Sequence, residues 1–272
     1  MVRWLISGLC VVSLVLLTSC SAPGLPVDDP SDFPTTSAVT ESVEAVDDAA
    51  IDDQAVAAEE SVAADTPQET EVAQTEDPLA GFAKLEGEAI VKMELDYGTV
   101  TMSIDGENAP VTAGNFIDLV DQGFYDGLKF HRVVKEPTPF VVQGGDPRGN
   151  GTGGYVDPAT GKERNIPLEI LPDGADTPTY GQVLSPGTKP VLIHTKGALS
   201  MARSQFPNSA SSQFYITLAD TNFLDGSYAV FGYVTDGMDA VEQVKQGDRI
   251  QSIEVISGLD QLKRPQPTAT EG

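Results

Sequence analysis

Cysteine is almost missing from this chain: of 272 residues only Cys10 and Cys20 carry a thiol. Beyond residue 20 neither a disulfide nor a cysteine-based metal site can form, so the folded part must be held by its core alone. Histidine is nearly as scarce. His131 and His194 are the only two, and neither has Cys, His or a carboxylate cluster near it at ligand spacing, which speaks against a zinc site. No G-x-S-x-G nucleophile motif occurs, and Ser211-Ser212 have no base nearby in sequence. From Ser21 to Ala83 there is not one Lys or Arg, although Asp and Glu recur throughout, and the formal net charge of the chain is −25. Such an acidic balance repels nucleic acid, so no nucleic-acid partner is expected.

Long hydrophobic runs are also lacking. Leu5 to Leu17 is the only extended one, preceded by Met1-Val2-Arg3-Trp4. It is too short for a comfortable membrane span, which needs roughly 20 residues, and it fits the apolar stretch of an export signal. The ending Leu17-Thr18-Ser19-Cys20 resembles a bacterial lipobox. That resemblance implies cleavage before Cys20, lipid on Cys20, and a mature protein anchored to a bacterial membrane on its periplasmic or extracytoplasmic face. Residues 21–87 read as an acidic, disordered linker, because like charges repel and too little apolar surface is available to offset ordering entropy. Roughly 60 residues of flexible chain reach about 40–50 Å.

Residues 88–262 are the expected globular domain, ample for one core, and 263–272 a flexible tail. Ile90–Leu95 and Thr99–Ile104 alternate around Asp96-Tyr97-Gly98, a hairpin pattern. Pro110 suits the first turn of a helix over Val111–Gln122. Further strands are expected at Gly197–Ala202, Gln213–Leu218, Tyr228–Val234 and Gln251–Ile256, with a second helix at Met238–Lys245. Many short strands with two helices indicate an antiparallel barrel or sandwich. Gly149 to Gly154, GNGTGG, satisfies G-x-G-x-x-G, but Tyr155-Val156-Asp157-Pro158 follows it where a nucleotide site needs a helix. The glycines are read instead as permitting positive φ in a loop near a site.

The most telling stretch is Phe130 to Asp146, FHRVVKEPTPFVVQGGD. It sets Arg132 and Gln143 into apolar strands, where a guanidinium cannot shed its charge and needs acceptors. Two readings fit: a structural ion pair with a carboxylate, or a group kept to act on a ligand. His131, on the opposite strand face, reads as a satisfied structural histidine.

Three blocks in order, FHRVV…FVVQGGDP, GNGTGG and GALSMAR…NSASSQFYITLADTNFLDGSYAVFG, resemble the cyclophilins, which are peptidyl-prolyl cis-trans isomerases. The likeness runs from about Ile90 to Val255. It implies a mainly β fold, a closed eight-stranded antiparallel barrel capped by two helices. It also implies a monomer with no cofactor and no metal, acting on proline-containing polypeptides. Position by position, it makes Arg132 the catalytic arginine, Gln143 its orienting partner and Phe140 the base of the proline pocket. Val141, Gly151, Ala202, Arg203, Gln213, Tyr215, Phe223, Leu224 and Tyr228 fall at substrate-binding positions. Five of these depart from common family residues. Val141 stands for methionine, Arg203 for asparagine, Tyr215 for phenylalanine, Phe223 for tryptophan and Tyr228 for histidine; because Phe223 lacks the indole N–H, cyclosporin sensitivity should be weak. The turn Lys135–Pro139 is slightly longer than usual, and Tyr155–Lys196 is a longer, proline-rich loop. The rival reading is a non-catalytic module that grips proline segments of an envelope partner.

Overall fold

The computed structural model describes residues 77–265; Cys20, the leader and nearly all of the acidic segment lie outside them. The chain forms β1 (Lys84–Leu85), β2 (Glu88–Leu95), β3 (Gly98–Asp105), α1 (Pro110–Asp121), β4 (Arg132–Val134) and β5 (Val141–Gly144). There follow β6 (Glu169–Ile170), β7 (Thr179–Tyr180), β8 (Ala198–Met201), β9 (Phe214–Thr217), β10 (Val230–Asp236), α2 (Met238–Gln243), β11 (Ser252–Ser257) and β12 (Leu262–Lys263). Single 3-10 turns cover Asn222–Leu224 and Leu259–Gln261. Among the described residues no helix is long and apolar enough to cross a membrane.

The hairpin β2–β3 follows directly from its alternation. Val91, Met93, Val100, Met102 and Ile104 are buried while their neighbours are not, the period of two that a half-buried strand imposes. Their inner face receives α1, whose Phe116 sits within 5.0–5.4 Å, ring to ring, of Tyr125, Phe214 and Phe231. Burying such rings supplies much of the core stabilisation, at roughly 25 cal/mol per Å² of apolar surface.

Eight strands make one antiparallel sheet in the order β11-β2-β3-β10-β8-β9-β5-β4. The expected closed barrel is therefore not formed: β4 and β11 are edges, and among the described residues no ladder joins them. The chain ahead of each edge strand comes close to closure. Gly127 N–H donates to Ile250 O (2.7 Å), Ile250 N–H to Leu128 O (2.9 Å) and Phe130 N–H to Asp248 O (2.9 Å). Past Phe130 the pairing stops. Strand β4 is three residues long and runs into a turn holding Pro137 and Pro139, which have no N–H to extend a ladder.

The ordered fold also begins before Glu88, inside the stretch read as linker. Ala83 and Leu85 are buried, and β1 pairs with β12 through Lys84–Lys263 and Leu85–Leu262. The helix makes room for it with Gly114, where a Cβ would stand 2.5 Å from Ala83 O.

Residues 155–196 carry the small ladder β6–β7 and brace α1. That helix has no side-chain cap of its own at Ala109. Instead the buried Glu169 accepts from Val111 N–H (3.1 Å) and Thr112 N–H (2.7 Å), supplying the acceptor that a helix start requires.

Candidate functional site

Register decides which side chains face the cleft. Across β4, β5, β9 and β8 the residues Arg132, Gln143, Tyr215 and Ser200 stand opposite one another. Their neighbours Val133, Val142, Ile216 and Leu199 form the next row, and point the other way into the core. One sheet thus carries a polar row on one face and an apolar row on the other, and within the polar row Tyr215 and Ser200 are buried.

Arg132 is exposed, so the expectation of a cation sunk among apolar neighbours is corrected. Its strand is the sheet edge, and the outward face of an edge strand meets solvent. The ion-pair reading also falls away: among the described residues Arg132 has no carboxylate within bridging distance and its side chain makes one hydrogen bond, Nη1 to Gln143 Oε1 at 3.3 Å. Its Cζ lies 5.5 Å from the centroid of the Phe140 ring, which in turn stacks on Phe223 at 5.8 Å and 20°.

Gln143 is one link in a longer chain. Its Nε2 donates to Gln213 Oε1 (3.1 Å), and Gln213 Nε2 donates to Gly151 O (3.1 Å) and Gly153 O (2.8 Å). The glycine-rich loop therefore sets the direction of the guanidinium through two amides. The loop is itself fixed by Asp146, a buried carboxylate. It accepts from the N–H groups of Arg148 (2.7 Å), Asn150 (2.9 Å), Gly151 (2.5 Å) and Thr152 (3.1 Å). Burial alone would raise the Asp146 carboxyl, but these donors hold it below its ordinary value. As expected of the loop, Gly149 and Gly151 have φ of 66° and 88°.

Phe140 is pinned at both ends of its backbone, with N–H to Val134 O (2.9 Å) and O accepting from Leu218 N–H (2.8 Å). The long turn before it is anchored as well, because Lys135 Nζ donates to Glu242 O and Val244 O (2.5 Å each) at the end of α2. Val141 lies on the cleft face but is only 2 % exposed, which puts it in the floor. Phe223 is 75 % exposed and forms a rim with Leu224 on the 3-10 turn. Tyr215 meets Tyr228 edge-on at 6.1 Å, and the Arg203 guanidinium covers Tyr228 at 4.7 Å.

Arg203 is committed to the protein: Nε and Nη2 donate to Ser227 O (3.0 and 2.7 Å) and Nη1 to Ser204 O (2.8 Å). Ala202 N–H is spent on Gln213 O at 2.9 Å, leaving its carbonyl for a main-chain contact. A cavity of about 490 Å³ opens here, lined among others by Gln143, Gly151, Glu163, Ala202, Arg203 and Gln213. His131 is not the satisfied residue expected, since among the described residues neither ring nitrogen has a hydrogen-bond partner. Burial lowers its pKa, opposed by Asp146.

Sequence reasoning missed Asp146, His194 and Asp225. Asp146 directly before a glycine-rich loop was a usable signal, since Asp there readily accepts from N–H groups two residues and more ahead. His194 and Asp225 are 31 residues apart and carried none.

The arrangement offers an apolar, aromatic-rimmed cleft beside a fixed guanidinium, with hydrogen-bonding main chain alongside. A family model described as cyclophilin type peptidyl-prolyl cis-trans isomerase/CLD matches residues 90–261. A putative thylakoid lumen peptidyl-prolyl cis-trans isomerase of Synechocystis is 43% identical over 68% of this chain and 51% of its own length. The chloroplastic isomerase CYP38 of Arabidopsis thaliana is 46% identical over 60% of this chain and 39% of its own. The chain thus spans about half or less of these two relatives. The isomerase-like 1 protein of Rhizopus delemar is 37% identical over 57% of this chain and 78% of its own length. A crystal structure of a Cryptosporidium parvum cyclophilin type isomerase aligns with a TM-score of 0.48 and 28% identity, covering 62% of this chain and 98% of that one. With the family model matching more than half of its residues, this chain belongs to the cyclophilin-type peptidyl-prolyl cis-trans isomerase family.

Proposed function

We propose that the protein accelerates cis–trans isomerisation of X–Pro bonds in exported polypeptides. The observation that carries this reading is Arg132, held by Gln143 beside the Phe140–Phe223 stack with its remaining side-chain donors uncommitted among the described residues. Rotation about the bond meets a barrier of about 18–20 kcal/mol because amide resonance must break. In the twisted state the proline nitrogen regains its lone pair, and a fixed N–H donor there binds that state better than either planar form. Phe140 is the base of the pocket with Val141 beside it, and Leu224, Tyr215, Phe223 and Tyr228 hold the ring. Main chain at Ala202 and Arg203 and the loop at Gly151 hold the peptide. Gln143 and Gln213 supply direction rather than donors.

Removing one such donor costs on the order of 10²–10³ in rate. An NMR exchange or protease-coupled assay on an X–Pro peptide should show a loss of that size for Arg132→Ala. Equal rates for the two proteins would sink the proposal, and peptide capture that survives the substitution would favour a non-catalytic binding module.

The address is part of the proposal: export, lipid on Cys20 and action near a membrane by a monomeric domain on an acidic linker. It is supported by the lipobox-like Leu17–Cys20 segment, and export by the lumenal placement in the name of the Synechocystis relative. Mass spectrometry of the mature N-terminus tests it. A diacylglyceryl cysteine at position 20 is expected, and an unmodified start at Ser21 or later would exclude the anchor.

A further inference from the structure

His194 ends the 155–196 loop directly beneath the cleft, and its ring is fully buried. Its Nδ1 lies 2.7 Å from Asp225 Oδ1, and the same oxygen accepts its backbone N–H at 2.8 Å. An ionised carboxylate can only accept, so the ring proton sits on Nδ1 and Nε2 carries a lone pair. Two hydroxyls approach Nε2, Tyr215 OH at 3.0 Å and Ser200 Oγ at 3.2 Å. Ser200 Oγ also lies 2.9 Å from Ala229 O, a pure acceptor that takes its proton. The donor to Nε2 is therefore Tyr215. Burial lowers the histidine's pKa against the pull of Asp225, and raises that of Tyr215, which favours the neutral form of both.

These bonds join two walls of the cleft that no strand ladder connects. Tyr215 belongs to β9, in the row with Gln143. Asp225 closes the 3-10 turn that carries Phe223 and Leu224 and accepts from Asn222 Nδ2 at 3.0 Å. His194 O accepts from Thr221 N–H at 2.7 Å, just ahead of that turn. One residue thus grips the turn at three points and the sheet at one. A phenylalanine at 215 would have no hydroxyl to reach Nε2, so the link depends on the tyrosine this chain carries.

We propose that His194 is a positioning residue of the proline cleft, fixing the Tyr215 wall against the Phe223–Leu224 turn through its two ring nitrogens. The inference rests on the isomerase reading. The walls hold the proline ring alike in planar and twisted states, so loosening them weakens binding without removing the donor that acts on the twisted state. That is a KM effect, where loss of Arg132 is a kcat effect.

Tyr215→Phe and His194→Gln each break the link, and NMR line-shape kinetics on an X–Pro peptide read KM and kcat separately. Each should raise KM by about three- to tenfold, the loss of one neutral hydrogen bond, with kcat within about twofold of wild type. The double variant should be no worse than the poorer single one. The imidazole ¹⁵N spectrum of wild type should show a protonated Nδ1 and a bare Nε2, with the Nε2 resonance moving in Tyr215→Phe. A protonated Nε2, an unchanged KM in Tyr215→Phe, or losses that multiply in the double variant would overturn the proposal. Should His194→Gln fail to fold, the Tyr215→Phe kinetics and the spectrum decide alone. If wild type shows no isomerase activity, the functional reading fails, while the spectrum and a peptide titration of Tyr215→Phe still test the link.

Discussion

Four backbone N–H groups converge on Asp146, and what that one carboxylate holds is the loop on which the guanidinium ultimately rests. Cutting it to alanine takes the shared acceptor from four N–H groups whose residues are exposed, so water replaces it and each lost bond to the carboxylate costs its net worth of about 0.5–1.5 kcal/mol. The glycine-rich loop should then loosen, Gln213 should lose its two carbonyl acceptors, and Arg132 should lose its aim. Asp146→Ala is expected to lower stability by about 2–3 kcal/mol and kcat/KM by roughly tenfold. Asp146→Asn keeps one acceptor oxygen and should fall between the two. Chemical denaturation and the X–Pro assay, run on both variants, check it; a wild-type kcat/KM in Asp146→Ala would break the proposed relay. At this scale Arg132 and Gln143 stood out as polar groups in apolar runs, whereas Phe140 was marked by the family blocks alone. Asp146 was not read as part of the site: its place ahead of the glycine-rich loop was a signal, but its partners are backbone groups with no letter in the sequence. The burial assigned to Arg132 failed for a related reason: residue pattern does not say which strand is an edge.

At the scale of elements, alternation made β2 and β3 readable, short apolar runs between turns marked β8, β9, β10 and β11, and Pro110 located the start of α1. Closure was not readable, because it depends on where β4 stops pairing, and that depends on a proline turn rather than on hydrophobic pattern. Two-residue strands such as β1 escaped because two residues show no period. The start of α1 carries a testable debt to a distant element. Glu169, reaching in from the 155–196 loop, is the side chain that accepts from its first turn, and burial pushes that carboxyl up against the pull of the N–H groups. Replacing a capping acceptor by alanine costs about 0.5–2 kcal/mol. Glu169→Ala should lose at least that much in thermal or denaturant unfolding, whereas Glu169→Gln, which keeps an acceptor oxygen, should lose clearly less. Equal losses would mean that the contacts with Val111 and Thr112 contribute nothing as a cap.

Across the whole described chain, three distant stretches meet on one carboxylate. Asp118 of α1, its side chain 6 % exposed, takes Arg164 from the 155–196 loop and Arg264 from the C-terminal end, each at 2.7 Å. Arg264 also reaches Asp121 at 2.6 Å, and Arg164 lies over Tyr155 at 4.5 Å. Burial pushes the Asp118 carboxyl up, but the hydrogen bonds from Arg264 and Arg164 outweigh it and leave the group below its ordinary value. A carboxyl depressed in the folded state binds its proton more tightly once unfolded, so its contribution to stability is complete above the ordinary value near 3.8 and disappears as pH falls through the depressed one. Melting temperatures recorded from pH 7 down to about pH 3 should therefore fall at the acid end, and the fall should be shallower in Asp118→Asn. That variant should start lower at pH 7, because it leaves Arg164 without its carboxylate in a partly buried place. Arg264→Ala should lose less at pH 7, since its own side chain is 47 % exposed and solvent already weakens the pair. Parallel acid slopes for wild type and Asp118→Asn would show that the tie between helix, loop and C-terminal end contributes nothing to the pH dependence of folding.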